Sequence, residues 1–228
     1  MIKSGFALRR KNENPVLSYM RMRQAIGVAG IALPLGCFLA GLAFSGLGLQ
    51  DSISAYYYTN VRDVFVGILV WVGLFLLAYK GHERIDNIAT SVSGIAGIGI
   101  AAFPCYVEGK TGAASGVFQI DPRLSDILHL SFAGLFFLLL ALISIFLFTL
   151  TDPTKKPTKR KGDRNKVFVA SGSIIIFCLL SFLVLRFLII GPKNFDNSPW
   201  TFALETLMLL AFGVSWLTKG ETILGDEA

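Results

Sequence analysis

Glu205, His129 and Arg186 each interrupt a long apolar stretch of this chain, where an ionisable side chain is costly enough to point to a partner or a task. Counted at 1.5 Å per residue along helices, the three share a depth. Glu205 is about five residues past Trp200, His129 about five past Leu124, and Arg186 about five before Gly191, which puts each roughly 7 Å inside one common boundary. Asp63 and Asp126 lie nearer that boundary, with Arg62 beside them. The expected arrangement is an outward-facing polar pocket lined by Asp63, Asp126, His129, Arg186 and Glu205, with Tyr56, Tyr57 and Tyr58 at its rim. Asp126 and His129 are three apart and share one helical face, where a carboxylate can orient an imidazole or raise its pKa. Such a pair can do acid–base work or bind a polar headgroup.

Each of these residues also has a structural reading. Asp126 after Ser125, and Asp63 after Arg62, suit helix starts, where a carboxylate stabilises unpaired amides. Arg186 can snorkel outward, or pair with Glu205 across the short turn between two spans. The tyrosines, Tyr106 and Trp200 fit an interfacial aromatic belt. Glu205 is too deep for a cap. With only two histidines, and His82 on the opposite side, a multi-histidine zinc site is excluded, and no metal or cofactor is expected. A phosphate-binding loop, a GxSxG elbow, an HExxH pair, an arginine-spaced voltage sensor and a selectivity-filter loop are all missing from the sequence. Cys37 and Cys178 fall in apolar runs and only Cys105 in a loop, with no CxxC spacing, so no disulfide framework is expected.

The elements that must hold these side chains are membrane helices. Residues AVILMFWYC make up 54% of the 228 and charged residues 16%, with mean hydropathy +0.63, where a soluble domain is nearer a quarter charged. Six segments approach the roughly 20 apolar residues a crossing needs: about 25–47, 62–79, 87–104, 126–150, 167–190 and 200–217. The fold class expected is therefore all-α, a six-transmembrane-helix bundle, flanked by a basic segment over 1–24, a basic linker over 151–166 and a tail over 218–228. The first run is long enough to remain as a span rather than be cleaved as a signal. Of the 21 Lys and Arg, only Arg62, Lys110, Arg123 and Lys193 fall on one side, with Arg186 inside the fifth span. The rest gather in the head, the second-to-third loop, the linker and at Lys219, which puts both chain ends in the cytoplasm. This bias accounts for the net charge of +6 without a nucleic-acid partner.

The linker TDPTKKPTKRKGDRNK is expected to stay solvated or to lie on anionic headgroups, and the EGKTGAASG stretch of the loop from Cys105 to Ser125 to be mobile. Small residues every fourth position, Ser93, Gly97 and Ala101 in the third span and Ala32, Gly36 and Ala40 in the first, mark those helices as close-packing. The Leu/Ile/Phe-rich fourth and fifth spans are expected to face lipid. The endings LLAYKGHE of the second span and SWLTKGET of the sixth read as common helix-end chemistry rather than duplication.

The stretches DSISAYYYTNVRDVF, DILHLSFAGLFF and ETLMLLAFGVSWLTKG, with Asn87 opening the third span, resemble bacterial six-span membrane proteins without an assigned activity. More distantly they are similar to the DRAM-type (damage-regulated autophagy modulator) family, in which a Ser-containing stretch also follows the first span. The resemblance implies the six-span fold and an outer location for Asp63, His129 and Glu205, and no substrate. A ceramidase-like zinc hydrolase is set aside on histidine number and span count. The expectation is a multi-pass protein of a bacterial inner (cytoplasmic) membrane that binds a lipid headgroup or small polar ligand. Membrane lipids are its expected partners, and a homo-oligomer is left open. The rivals are a transporter or channel, a membrane-embedded lipid-modifying enzyme using His129 and a carboxylate, and an oligomeric membrane effector.

Overall fold

The computed structural model describes residues 15–81, 83–112, 114–151 and 158–225. Lys3, Arg9, Arg10, Lys11, His82, Lys155, Lys156 and positions 226–228 of the tail lie outside the described residues. The order of elements is α1 (Pro15–Ser45), a 3-10 turn η1 (Ser54–Tyr58), α2 (Arg62–Ala78), α3 (Arg84–Ala102), α4 (Pro122–Leu142), α5 (Lys159–Val184), a short α6 (Pro192–Asp196) and α7 (Pro199–Lys219). Two π turns, Ile143–Leu147 and Leu185–Ile189, continue α4 and α5. The described residues contain no strand, only the isolated bridge between Ser115 and Ile120.

Local chemistry fixes where these helices begin, and α1, α4 and α5 start at least four residues earlier than apolarity alone indicates. α4 opens at Pro122, not Asp126, because Asp121 caps it by accepting from the Arg123 and Leu124 amides at 2.9 and 3.1 Å, with proline at its tolerated first position. α5 opens at Lys159, inside the stretch expected to be an unfolded linker. Pro157 is the last proline before the span, Thr158 accepts from the Lys161 amide at 3.1 Å, and the lysines and arginines that follow are good helix formers. α1 runs on from Pro15, so residues 15–24 are helical rather than a separate head.

Five helices are long and apolar enough to cross a membrane: Tyr19–Phe44, Arg84–Ala102, Pro122–Leu147, Lys159–Ile189 and Pro199–Lys219. α2 is shorter, at 17 residues, or about 26 Å. The helices close a ring in which α1 packs on α2, α2 on α3, α3 on α4, α4 on α5, α5 on α7 and α7 on α1. α1 and α3 thus flank α2 instead of meeting at a common centre. At two seams glycine meets backbone: a Cβ on Gly73 would lie 2.8 Å from the Gly94 carbonyl oxygen, and one on Gly27 2.9 Å from that of Gly213. Ser93, Gly97 and Ala101 are on the buried face of α3, as expected. In α1, however, the close contact uses Gly27 and Gly30 against α7, whereas a Cβ on Gly36 would meet Val64 and Ile68 of α2 only at ordinary van der Waals distance. The buried share of each spanning window is 56% in α7 but 33% in α4 and 28% in α5, consistent with α4 and α5 turning most of their apolar surface outward.

Cross-chain contacts sort the loops into two ends. At one, Arg23 meets Tyr79, Gln24 donates to the Gly220 carbonyl, and Lys161 donates to that of Phe148. At the other, η1 meets Glu205, Tyr58 meets Cys105, and Phe202 donates to Asp51. α2 runs the whole distance, from the η1 end at Arg62 to Tyr79, whose ring packs edge-on against Trp216. Between the ends, Ser215 of α7 reaches Ser144 in the first π turn at 2.6 Å, and Ser144 donates to the Phe168 carbonyl at 2.8 Å. This buried relay ties α4, α5 and α7 together.

Candidate functional site

Two of the expected site residues meet through a third that sequence reasoning overlooked. Glu205, near the start of α7, accepts a hydrogen bond from the Ile53 amide at 2.6 Å, and its other oxygen lies 3.4 Å from the Ser54 hydroxyl. Ser54 Oγ in turn lies 3.0 Å from His129 Nε2. His129 Nδ1 faces two carbonyls, Phe103 at 2.7 Å and Ile100 at 3.2 Å. Carbonyls only accept, so the ring proton belongs on Nδ1 and Nε2 presents its lone pair to the Ser54 hydroxyl. The single Ser54 proton therefore goes to His129, and Glu205 holds η1 through the Ile53 amide, so that α7 and α4 both anchor η1 while the carbonyl end of α3 orients the imidazole. Ser54 and His129 are both buried. The signal that could have exposed Ser54 was its place beside Glu205 and His129 at one depth, but in DSISAYYY it reads as an ordinary turn serine.

The other expected residues go elsewhere. Arg186 does not pair with Glu205: its Nε and Nη2 donate to the two Asp196 oxygens, both at 2.8 Å, in a bidentate bridge between the second π turn and α6. Asp126 neither caps a helix nor orients His129, since its Oδ1 accepts the Tyr106 amide at 2.8 Å and pins the loop between α3 and α4. Asp63 is exposed in the first turn of α2, with no hydrogen bond or ion pair among the described residues. Tyr56 and Tyr57 are buried rather than standing at a rim, and Tyr58 donates to the Cys105 carbonyl at 2.7 Å. Burial and then the charges of Glu205 and Asp126 push the Cys105 thiol well up, which keeps it protonated and unreactive.

The open space at this end is a groove of about 420 Å3 beside η1, lined by Tyr57, Tyr58, Thr59, Asn60 and Arg62 on one side and Ser115, Gly116 and Gln119 on the other. The Arg62 guanidinium lies 4.5 Å over the Tyr57 ring, a geometry that fixes the cation without neutralising it. Ser115 is 5% exposed and its hydroxyl has no hydrogen-bond partner among the described residues. Gly116 takes φ +70°, and a Cβ there would meet the Ala102 carbonyl oxygen at 2.6 Å, so this wall of the groove requires glycine. Of the residues expected at the pocket, Tyr57 and Tyr58 line the groove. Glu205 and His129 hold its floor from below, because the Ser54 they grip is three residues before Tyr57. No group of three or more His, Cys, Asp and Glu that could hold a metal exists among the described residues. No family model, curated protein or solved structure matches the chain.

Proposed function

We propose that this chain is a six-span protein of a bacterial cytoplasmic membrane, with both ends inside, whose outward-facing groove beside η1 binds a lipid headgroup or a small polar ligand. The observation that carries the reading is the groove itself, with one cation, Arg62, held over Tyr57 and an unpartnered hydroxyl at Ser115. A buried hydroxyl without a partner is costly, and rotation of the Ser115 side chain toward the groove would let a polar ligand relieve it. Six spans are favoured over five because α2 is uncharged from Val64 to Ala78 and extends between both ends of the ring, and a short helix is accommodated by modest bilayer thinning. The lysine and arginine bias favours this sidedness. An ion route is not favoured, since the buried face of α7 between Glu205 and Ser215 consists of Met208, Leu209, Ala211, Phe212 and Gly213.

Released from its membrane in mild detergent and weighed intact by native mass spectrometry, the protein is expected to retain a bound species. Arg62→Gln and Ser115→Val are expected to lower its affinity about tenfold each, the weight of one hydrogen bond to a charged group. Equal retention by all three proteins would remove the groove as the binding site.

A second reading, a lipid-modifying enzyme, is favoured by the 3.0 Å contact between Ser54 Oγ and His129 Nε2 with Nδ1 held by a carbonyl. This is the arrangement of a nucleophile, its base and an orienting group. Ser54 would attack an ester carbonyl as His129 takes its proton, and His129 would return that proton to the departing alcohol. A fluorophosphonate probe is expected to label Ser54 on this reading, with labelling lost in Ser54→Ala and cut by orders of magnitude in His129→Ala. Absence of label on the folded wild type would eliminate it.

A further inference from the structure

The wall of the groove opposite η1 is a tight turn whose tip carries apolar side chains. Ser115 and Ile120 exchange backbone hydrogen bonds at 2.9 and 3.2 Å, and the Gln119 amide closes the tip by donating to the Gly116 carbonyl at 3.3 Å. Gly116 and Gln119 line the groove, and the two residues between them, Val117 and Phe118, are 72% and 60% exposed. Apolar side chains exposed singly are ordinary on a protein surface, but these two are not isolated. The Phe118 ring stacks on Phe103, the C-cap of α3, with 5.1 Å between centroids, and Phe103 stacks on Phe132 of α4 at 5.7 Å. The turn is therefore folded down over the seam between α3 and α4. From there the apolar surface continues along α4 through Leu124, Ile127, Leu135 and Leu138, all exposed and on the side away from the buried His129, Phe136 and Leu140. On a helix long enough to cross a membrane, such a stripe meets lipid tails.

We propose that the occupant of the groove is a glycerophospholipid drawn sideways from the surrounding bilayer, with its phosphate on Arg62 and its acyl chains along the Val117–Phe118 tip and the exposed face of α4. This rests on the groove being the binding site, and it names which class of ligand the site takes. Arg62 is the one charged residue lining the groove, and a guanidinium held over a ring keeps its N–H edge free to pair with two phosphate oxygens. Thr59, Asn60, Ser115 and Gln119 are neutral donors and acceptors, and no carboxylate lines the groove. That set suits the hydroxyls of a glycerol headgroup and offers an ammonium headgroup no counter-charge. A small soluble ligand would use the same polar contacts but leave Val117 and Phe118 in water, whereas acyl chains cover them. The tip is thus what separates a lipid from a free headgroup.

The test titrates the full chain in mild detergent with phosphatidylglycerol and, separately, with glycerophosphoglycerol, the same headgroup without chains, and reads bound adducts by native mass spectrometry. The lipid is expected to bind about a hundredfold more tightly than the chainless headgroup. Val117→Ser combined with Phe118→Ser is expected to weaken lipid binding about tenfold and leave the chainless headgroup unchanged, whereas Arg62→Gln weakens both. A chainless headgroup that binds as tightly as the lipid, or a double variant that holds the lipid as the wild type does, overturns the proposal, while a loss in Arg62→Gln leaves the groove standing as the site. Lipid binding indifferent to Arg62→Gln removes the groove as the site and the proposal with it. If the double variant folds poorly, a nitroxide on Val117→Cys in phosphatidylglycerol nanodiscs decides, since Cys37 and Cys178 are buried and Cys105 is held protonated. Oxygen is expected to reach that label more readily than a water-soluble nickel complex does, and the reverse order overturns the proposal.

Discussion

Glu205→Leu is expected to destabilise the protein by about 2–3 kcal/mol, the range for losing a hydrogen bond to a charged group. The Ile53 amide it accepts from at 2.6 Å belongs to a residue only 2% exposed, so deletion leaves a dry donor with no substitute partner. Glu205→Gln keeps an acceptor oxygen in reach of that amide and is expected to lose less than half as much. Unfolding by denaturant in detergent measures both. The variant should also lose groove binding although Glu205 does not line the groove, because Ile53 and Ser54 lead directly into Tyr57. A Leu variant as stable as the wild type would mean that η1 is held by its own packing, and the clamp would carry no weight in either functional reading.

That clamp also marks how far the sequence could be read. Apolar length finds α2 and α7 to within about two residues, because hydrophobic runs and helix-end chemistry act locally. The shared depth of Glu205 and His129 follows from helical rise alone, and they do lie within reach of one serine. The groups that orient them are backbone atoms, the Ile53 amide and the Phe103 and Ile100 carbonyls, which every residue carries and no sequence pattern marks. Asp126 misleads for a related reason: a carboxylate beside a serine resembles a cap, but Asp121 and Pro122 had already started the helix a turn earlier. The cavity that Arg23, Lys161, Arg164 and Lys219 line at the opposite end of the ring is legible only in part. The lysines and arginines are plain in the sequence as an orientation signal, whereas their convergence depends on α5 continuing back to Lys159 through residues that read as linker.

Arg186 shows the opposite error, a correct position with the wrong partner. Its bidentate bridge to Asp196 spans Gly191 and Pro192, and Asp196 lies in NFDNSP, a stretch that reads as loop until α6 forms. The bridge is asymmetric: the Arg186 side chain is 11% exposed and that of Asp196 42%. Removing the exposed partner is therefore the more damaging choice for what remains. Asp196→Ala leaves a guanidinium beside Phe187, 5.0 Å from its ring, with its hydrogen-bonding edge unpaired, and is expected to cost about 2–3 kcal/mol, toward the low end for stranding a buried charge because solvent reaches the Asp196 side. The double variant Arg186→Met, Asp196→Ala removes the stranded charge and fills its volume, so it is expected to recover most of that loss. Comparing the two in denaturant unfolding separates the energy of the pair from the cost of breaking it. If the single variant matches the wild type, α6 is held by Phe195, which is fully buried against Phe182, and Arg186 regains the freedom to serve a ligand.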